Sequence, residues 1–197
     1  KRRMIEFRRA GTDTSTASIA SLYPSELEHL MDLLVQAGID VSAWSYRADG
    51  SVVEKPKANP DYCYDWSIRF VLCLWCDLMD EGSGRITYSE NVQELARDLE
   101  RAARDSRQSS DRKSRVIQQA RRARAFDDAL DLSYRKGLPL RAILNAGDIR
   151  SRDEIAEKAS KVALRRLDPE SWFVHRYARD TGECLVVRGI RPDADPT

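Results

Sequence analysis

The spacing of apolar residues predicts a helix near the start of the folded part of the chain. Ser25-Glu26-Leu27-Glu28 has the Ser-x-x-Glu pattern in which a hydroxyl and a carboxylate satisfy the free N–H groups of a helix start. Leu30, Met31 and Leu34 continue a helical stripe, and Gly38 then supplies a stop. The pattern predicts a helix over residues 25–37.

The helical period returns in the middle of the chain. Val92, Leu95 and Leu99 form one stripe, which predicts a helix over residues 91–104. A longer helix is predicted over residues 111–136, and Gly137 ends it. The apolar stripe of this long helix is Val116, Ala120, Ala123, Phe126, Leu130 and Tyr134.

The remaining regular segments have the character of strands. Tyr62, Tyr64 and Trp66 alternate with period two, and an apolar run over residues 68–75 suits a central strand. The polar, glycine-containing segment 80–84 predicts a hairpin into residues 85–88. In the C-terminal third, strands are predicted at 140–144, 161–167, 172–177 and 184–187, with a short helical segment within 151–159. The fold class expected is therefore α+β, with a curved antiparallel or mixed sheet packed with about three helices.

Composition favours one ordinary globular domain. The 197 residues are 42% hydrophobic and 33% charged, and no apolar run approaches the ~20 residues that a membrane-spanning helix needs. We expect a partly disordered basic tail at 1–21, a single recognition domain at 22–190 with a helical insertion at 91–136, and a linker at 191–197 to a downstream domain. The basic start lacks a secretory signal, so a cytoplasmic location without a membrane partner is expected.

Charge is balanced overall but clustered locally. Lys and Arg number 33 and Asp and Glu 32, whereas residues 101–124 carry a strong basic excess of the kind that neutralises phosphates. Pairing with the acidic stretch at residues 77–100 is the alternative explanation. The candidate nucleic-acid-binding residues are Arg112, Lys113, Arg115, Arg121, Arg122 and Arg124.

Aromatic residues cluster in the first half of the chain. On a strand, Tyr62, Tyr64 and Trp66 would share one face, and such a row can stack an unpaired or flipped base. Trp44 and Asn59 complete the candidate base-binding pocket, with Asn59 placed to read a base edge. The alternative is that these aromatics fill the core.

No catalytic signature stands out. The chain has only two histidines, and neither belongs to a known nucleophile or metalloprotease pattern. Cys73 and Cys76 have the spacing of a metal knuckle but lie in a strand-like run, so buried thiols are the expectation. We therefore predict no catalytic residues, no metal and no cofactor in this chain.

Three stretches together resemble a known class of protein. They are 33–44 (LLVQAGIDVSAW), 59–67 (NPDYCYDWS) and 166–172 (RLDPESW), the last with Thr181-Gly182-Glu183 and Val187-Arg188-Gly189. The pattern resembles the N-terminal region of bacterial HNH or modification-dependent restriction endonucleases. The resemblance implies recognition of double-stranded DNA, including a modified base, with cleavage by a downstream part. HNH histidines and zinc-binding cysteine pairs do not occur in these 197 residues.

The sequence leaves two other classes of function open. A protein-interaction domain would use helix 111–136 as its docking face and would self-associate as a homodimer or bind a partner. A small-molecule sensor or enzyme built on the aromatic pocket would bind nucleotides or metabolites without DNA. The leading prediction is a DNA-binding specificity module of a restriction-type endonuclease in bacterial defence.

Overall fold

A computed structural model describes residues 18–54, 61–105, 109–151 and 158–192. Within these ranges, four α-helices pack with one eight-stranded mixed sheet, which confirms the predicted α+β class. The helices are α1 (Ile19–Leu22), α2 (Leu30–Gln36), α3 (Val92–Ala103) and α4 (Ser110–Lys136). The strands are β1 (Cys63–Trp66), β2 (Arg69–Trp75), β3 (Met79–Gly82), β4 (Arg85–Tyr88), β5 (Leu140–Asp148), β6 (Lys161–Leu167), β7 (Trp172–Tyr177) and β8 (Cys184–Arg188).

The sheet forks at β5. Seven strands follow the order β1-β2-β5-β7-β8-β4-β3, and β6 pairs with β5 beside this path. β2 and β5 run parallel, whereas the other pairs are antiparallel. On the far side of β5 from β2, Leu140 pairs with Trp172 of β7, and Ile143 and the residues after it pair with β6. The chain must therefore turn between β6 and β7 at the fork.

The sheet is strongly curled. β2 ends at Trp75 and β3 begins at Met79, yet these strands are second and seventh in the order. Five strand spacings in a flat sheet would span about 24 Å. The link between the two residues reaches at most about 14 Å. The sheet must therefore bend to bring its two sides together at this end.

The two faces of the sheet bury different helices. The curled side wraps α4, whose Phe126 and Leu130 share a core with Leu72 of β2 and Trp172 of β7. Because alternate residues of a strand face opposite sides, Val71 instead packs with Leu33 and Leu34 of α2 on the other face. α3 lies against α4 through a smaller cluster that includes Leu99, Val116 and Ala123.

The long helices begin and end where their caps predict. Asn91 accepts a hydrogen bond from the backbone of Glu94 at 2.8 Å and caps α3. Ser109 caps α4, and Gly137 ends it with a φ of 60°, a conformation that costs glycine little.

The first predicted helix starts later than the capping-box pattern indicated. α2 begins at Leu30 rather than at residue 25. The reason is a long-range interaction: the Arg165 N–H donates to Glu26 O at 2.8 Å, and the Glu28 N–H donates to Arg165 O at 3.2 Å. These bonds hold residues 26–28 extended beside β6, so their N–H groups do not serve a helix start.

Other predictions are refined by the structure. The run over residues 62–75 is interrupted by a turn at Ser67, so it forms the hairpin β1–β2 rather than one strand. Residues 19–21, at the end of the predicted tail, belong to α1, and Ile19 packs partly buried against the core. The rest of that tail, residues 1–17, lies outside the described residues, as do 152–157 and 193–197.

None of the described helices is long and apolar enough to cross a bilayer.

Candidate functional site

A cavity of about 590 Å³ lies at the carboxyl ends of β2 and β5, the neighbouring parallel strands. The carboxyl ends of parallel strands are the usual ligand position in open sheets, because the connecting segments diverge there. The sheet contributes Tyr64, Cys73, Trp75, Asn145 and Arg165 to the cavity wall, and α4 contributes Gln119, Arg122 and Phe126.

Part of the predicted aromatic group meets in this cavity. Tyr62, which immediately precedes β1, and Tyr64 both line it. Tyr64 is only 5% exposed and packs against Trp44 with ring centroids 6.1 Å apart. Trp44 itself is not among the cavity residues; it packs against the core on the α2 side of the sheet. The cavity therefore has an aromatic wall that is held in place by the core.

Trp66, another member of the predicted base-binding group, is also not among the cavity residues. Trp66 lies at the opposite end of β1 from Tyr62, next to the turn at Ser67, and is 50% exposed. The period-two pattern placed it on the same face as Tyr64, but the strand carries it away from the cavity mouth. Asn59 lies outside the described residues.

Two arginines connect the walls of the cavity. Arg122 of α4 donates from Nε to Asp61 Oδ1 at 3.0 Å, and both side chains are partly exposed. Arg150, just after β5, donates to Gln119 Oε1 of α4 and to the hydroxyl of Tyr62 at 3.4 Å. These bonds join the start of β1, the end of β5 and the middle of α4.

A third arginine has a different environment. The Cα partner of Arg165 on β5 is Asn145, which is 4% exposed, and Arg165 Nε donates to Asn145 Oδ1 at 3.4 Å. Across the described part of the chain, no carboxylate pairs with Arg165, and no acceptor lies within hydrogen-bond distance of its two terminal nitrogens. The cavity therefore contains a half-buried guanidinium whose fork of donors is available.

The basic residues of α4 do not form one surface. Arg121 and Arg124 line a shallow groove between α3 and α4, on the side away from the cavity. Arg124 donates to both oxygens of Glu100, at 2.9 and 3.0 Å, and these hydrogen bonds lower the pKa of Glu100. At this pair, the acidic and basic stretches neutralise one another. The remaining predicted cations, Arg112, Lys113 and Arg115, lie in the first two turns of α4.

The thiols and phenols near the cavity are neutral at ordinary pH. Burial raises the pKa of Cys63 and of Cys73 to about 12, and it also raises the pKa of Tyr62 and Tyr64. Among the described residues, no three His, Cys, Asp or Glu side chains are grouped in a way that could hold a metal ion. These thiols and phenols are therefore not activated as nucleophiles.

A second polar cluster lies at the fork of the sheet. Asp168 is completely buried and accepts two hydrogen bonds from Arg188, both at 2.8 Å, and one from Trp172 Nε1 at 2.8 Å. The backbone N–H of Glu170 donates to it at 3.0 Å. Because these four hydrogen bonds use both oxygens of a fully buried carboxylate, the cluster fixes the turn from β6 into β7.

Several cavity residues were not identified from the sequence. Arg150, Arg165, Asn145 and Gln119 are polar residues whose neighbours along the chain give no motif. One available signal was Asn145, which interrupts the apolar run of β5 and so marks a buried polar site.

Comparisons with known proteins identify no relative of this chain. No family model, no curated protein and no solved structure matches the chain.

Proposed function

We propose that the protein is the DNA-binding specificity module of a restriction-type endonuclease and that the cavity receives a base extruded from the duplex. The observation that carries the proposal is the meeting of Tyr62, Tyr64 and Arg122 in one cavity. Two independent sequence signals, an aromatic group and a basic helix, thus lead to the same place. The assignment to a nuclease rests on the sequence resemblance, which also places cleavage in a downstream part.

The cavity has the properties that an extruded base needs. Its volume of about 590 Å³ lies within the ordinary range for small-ligand pockets. Tyr62 and Trp75 are partly exposed and offer aromatic surface, whereas Tyr64 and Phe126, which also line the cavity, are buried. Enzymes and readers that extrude a base hold it by stacking and by hydrogen bonds to its edge, and Asn145 and Arg165 supply polar groups for the latter.

The phosphate contacts would come from one side of α4. Arg115 lies seven residues before Arg122, about two helical turns, so both side chains leave the same side of the helix. Arg115 is exposed, and the Arg122–Asp61 pair is open enough to water for a phosphate to compete. Arginines in such positions fix the register of a protein on DNA without reading its sequence.

The test is a fluorescence-anisotropy titration with matched duplexes that carry unmodified, methylated or hydroxymethylated cytosine, at two salt concentrations. We expect binding that weakens steeply with salt, because phosphate contacts release counterions, and that differs among the duplexes. Absence of binding at micromolar protein would refute the proposal.

The structure disfavours the protein-interaction domain and is compatible with the small-molecule sensor. The apolar stripe of α4 is buried from Val116 to Leu130, so the docking face that an interaction domain would need is already covered. The cavity does suit a small-molecule sensor. A thermal shift with free nucleotides, together with no DNA binding, would favour that class.

A further inference from the structure

We infer that Arg165 selects the extruded base by its hydrogen-bonding edge and that the cavity takes cytosine or guanine in preference to adenine or thymine. This inference rests on the proposed function. It adds the chemical class of base, which neither the aromatic wall nor the basic helix determines.

The guanidinium of Arg165 is held in the wall of the cavity. Arg165 lies on β6 opposite Asn145, at the same end of the sheet as Tyr64 and Cys73, and all four side chains line the cavity. Its Nε donates to the buried amide oxygen of Asn145 at 3.4 Å. The backbone of the same residue is held on its other edge by Glu26 and Glu28. The side chain is thus anchored at both its root and its Nε.

The terminal nitrogens of Arg165 have no partner among the described residues. With Nε engaged, the two terminal nitrogens remain as a planar fork of donors, and within the described ranges no carboxylate or other acceptor meets them. Arg122 and Arg150, the other cavity arginines, are engaged by Asp61 and by Gln119. Arg165 is therefore the cavity arginine best placed to pair with a ligand.

A fork of two donors matches only particular base edges. Two parallel N–H donors pair with two acceptors that lie side by side. Guanine presents O6 and N7 in this way, and cytosine presents O2 and N3, whereas adenine and thymine alternate donors with acceptors on their edges. A substituent at position 5 of cytosine leaves both of its acceptors intact.

The experiment uses duplexes with one unpaired nucleotide opposite an abasic site, so that extrusion costs little. The variable nucleotide is A, T, C or G, or one of two analogues: 7-deazaguanine, which lacks the N7 acceptor, and 3-deazacytosine, which lacks the N3 acceptor. We expect the wild-type chain to bind the C or the G duplex about tenfold more tightly than the A and T duplexes. If G is preferred, 7-deazaguanine should bind no more tightly than A or T. If C is preferred, 3-deazacytosine should do so.

The variants separate this inference from the function on which it rests. Arg165→Gln replaces the fork of donors with an amide, so the preference for C or G should be lost, and a new preference for A, whose edge an amide matches, would also support the role of Arg165. Arg166→Gln makes the same change at the next residue, on the opposite face of β6, and should keep the preference. Thermal denaturation of both variants confirms that they are folded.

The outcomes are distinct. Salt-sensitive binding without any preference among the four bases would overturn the role of Arg165 and leave the DNA-binding function standing. A preference that survives Arg165→Gln or the deaza analogues would also overturn it. No binding of any duplex would refute both.

Discussion

Arg188 of β8 and Arg165 of β6 are held by different partners. At the fork, Arg188 is bonded through two nitrogens to Asp168, which is completely buried and also binds Trp172. In the cavity, three residues earlier along the chain than Asp168, Arg165 has a single weak bond to an amide oxygen. The first site has every acceptor filled by the protein, whereas the second keeps donors for a ligand. The comparison contrasts an arginine that a buried carboxylate holds with an arginine for which we propose a role in recognition.

The largest effect that would test this comparison concerns stability. Asp168→Ala leaves the Arg188 guanidinium and the Trp172 N–H without their buried acceptor, and we expect a loss of about 3–5 kcal/mol in the free energy of unfolding. Arg165→Gln breaks no ion pair and should cost about 1 kcal/mol or less. Urea denaturation of both variants measures the difference. Equal losses would mean that Arg165 is as structural as Asp168.

The next effect concerns the aromatic wall. Tyr62→Ala removes a stacking surface from the cavity, and we expect affinity for DNA with an unpaired base to fall about tenfold. The salt dependence should stay the same, because no phosphate contact changes. Trp66→Ala is the matched control, since this exposed residue lies outside the cavity and its removal should alter affinity little. A larger loss in Trp66→Ala would place the base at the β1–β2 turn instead.

A smaller effect is expected from the basic helix. Arg122→Gln should lower DNA affinity about fivefold and reduce the salt slope by about one, as for the loss of one phosphate contact. Arg135→Gln changes the same charge near the far end of α4 and should leave both quantities unchanged. Asp61→Asn removes the carboxylate that competes with phosphate for Arg122, so it should raise affinity. Anisotropy titrations over several salt concentrations give all three results.

The sequence patterns predicted those helices and strands whose formation depends mainly on residues close together in the chain. α3, α4, β6 and β7 follow from periodicity and caps, and Gly137 ends α4 as expected. The parallel pairing of β2 with β5 could not be read in this way, because about seventy residues separate the two strands. The late start of α2 has the same cause, since the bonds of Glu26 and Glu28 to Arg165 depend on the final packing.

Some residues of the candidate site could be predicted from the sequence, and others depend on the pairing of distant strands. Tyr62, Tyr64 and Arg122 were found by residue type and clustering, which are visible in the sequence. Arg165 was not found, because its position in the cavity depends on the register that sets it opposite Asn145. A strand arginine has no recognisable signature until its partners across the sheet are known.

The smallest effect concerns the ion pair between Arg124 of α4 and Glu100 of α3. The hydrogen bonds from Arg124 lower the pKa of Glu100 below its ordinary value of 4.5. A carboxyl whose pKa is lower in the folded state adds stability above its ordinary pKa, and this stability is lost as the pH falls through the folded pKa. Both side chains are more than one third exposed, so the pair should contribute only about 0.5 kcal/mol. Urea denaturation at pH 7 should show Glu100→Gln less stable than the wild type by that amount, and the difference should vanish towards pH 3. A difference that persists at pH 3 would mean that Glu100 stabilises the α3–α4 contact by packing rather than by charge.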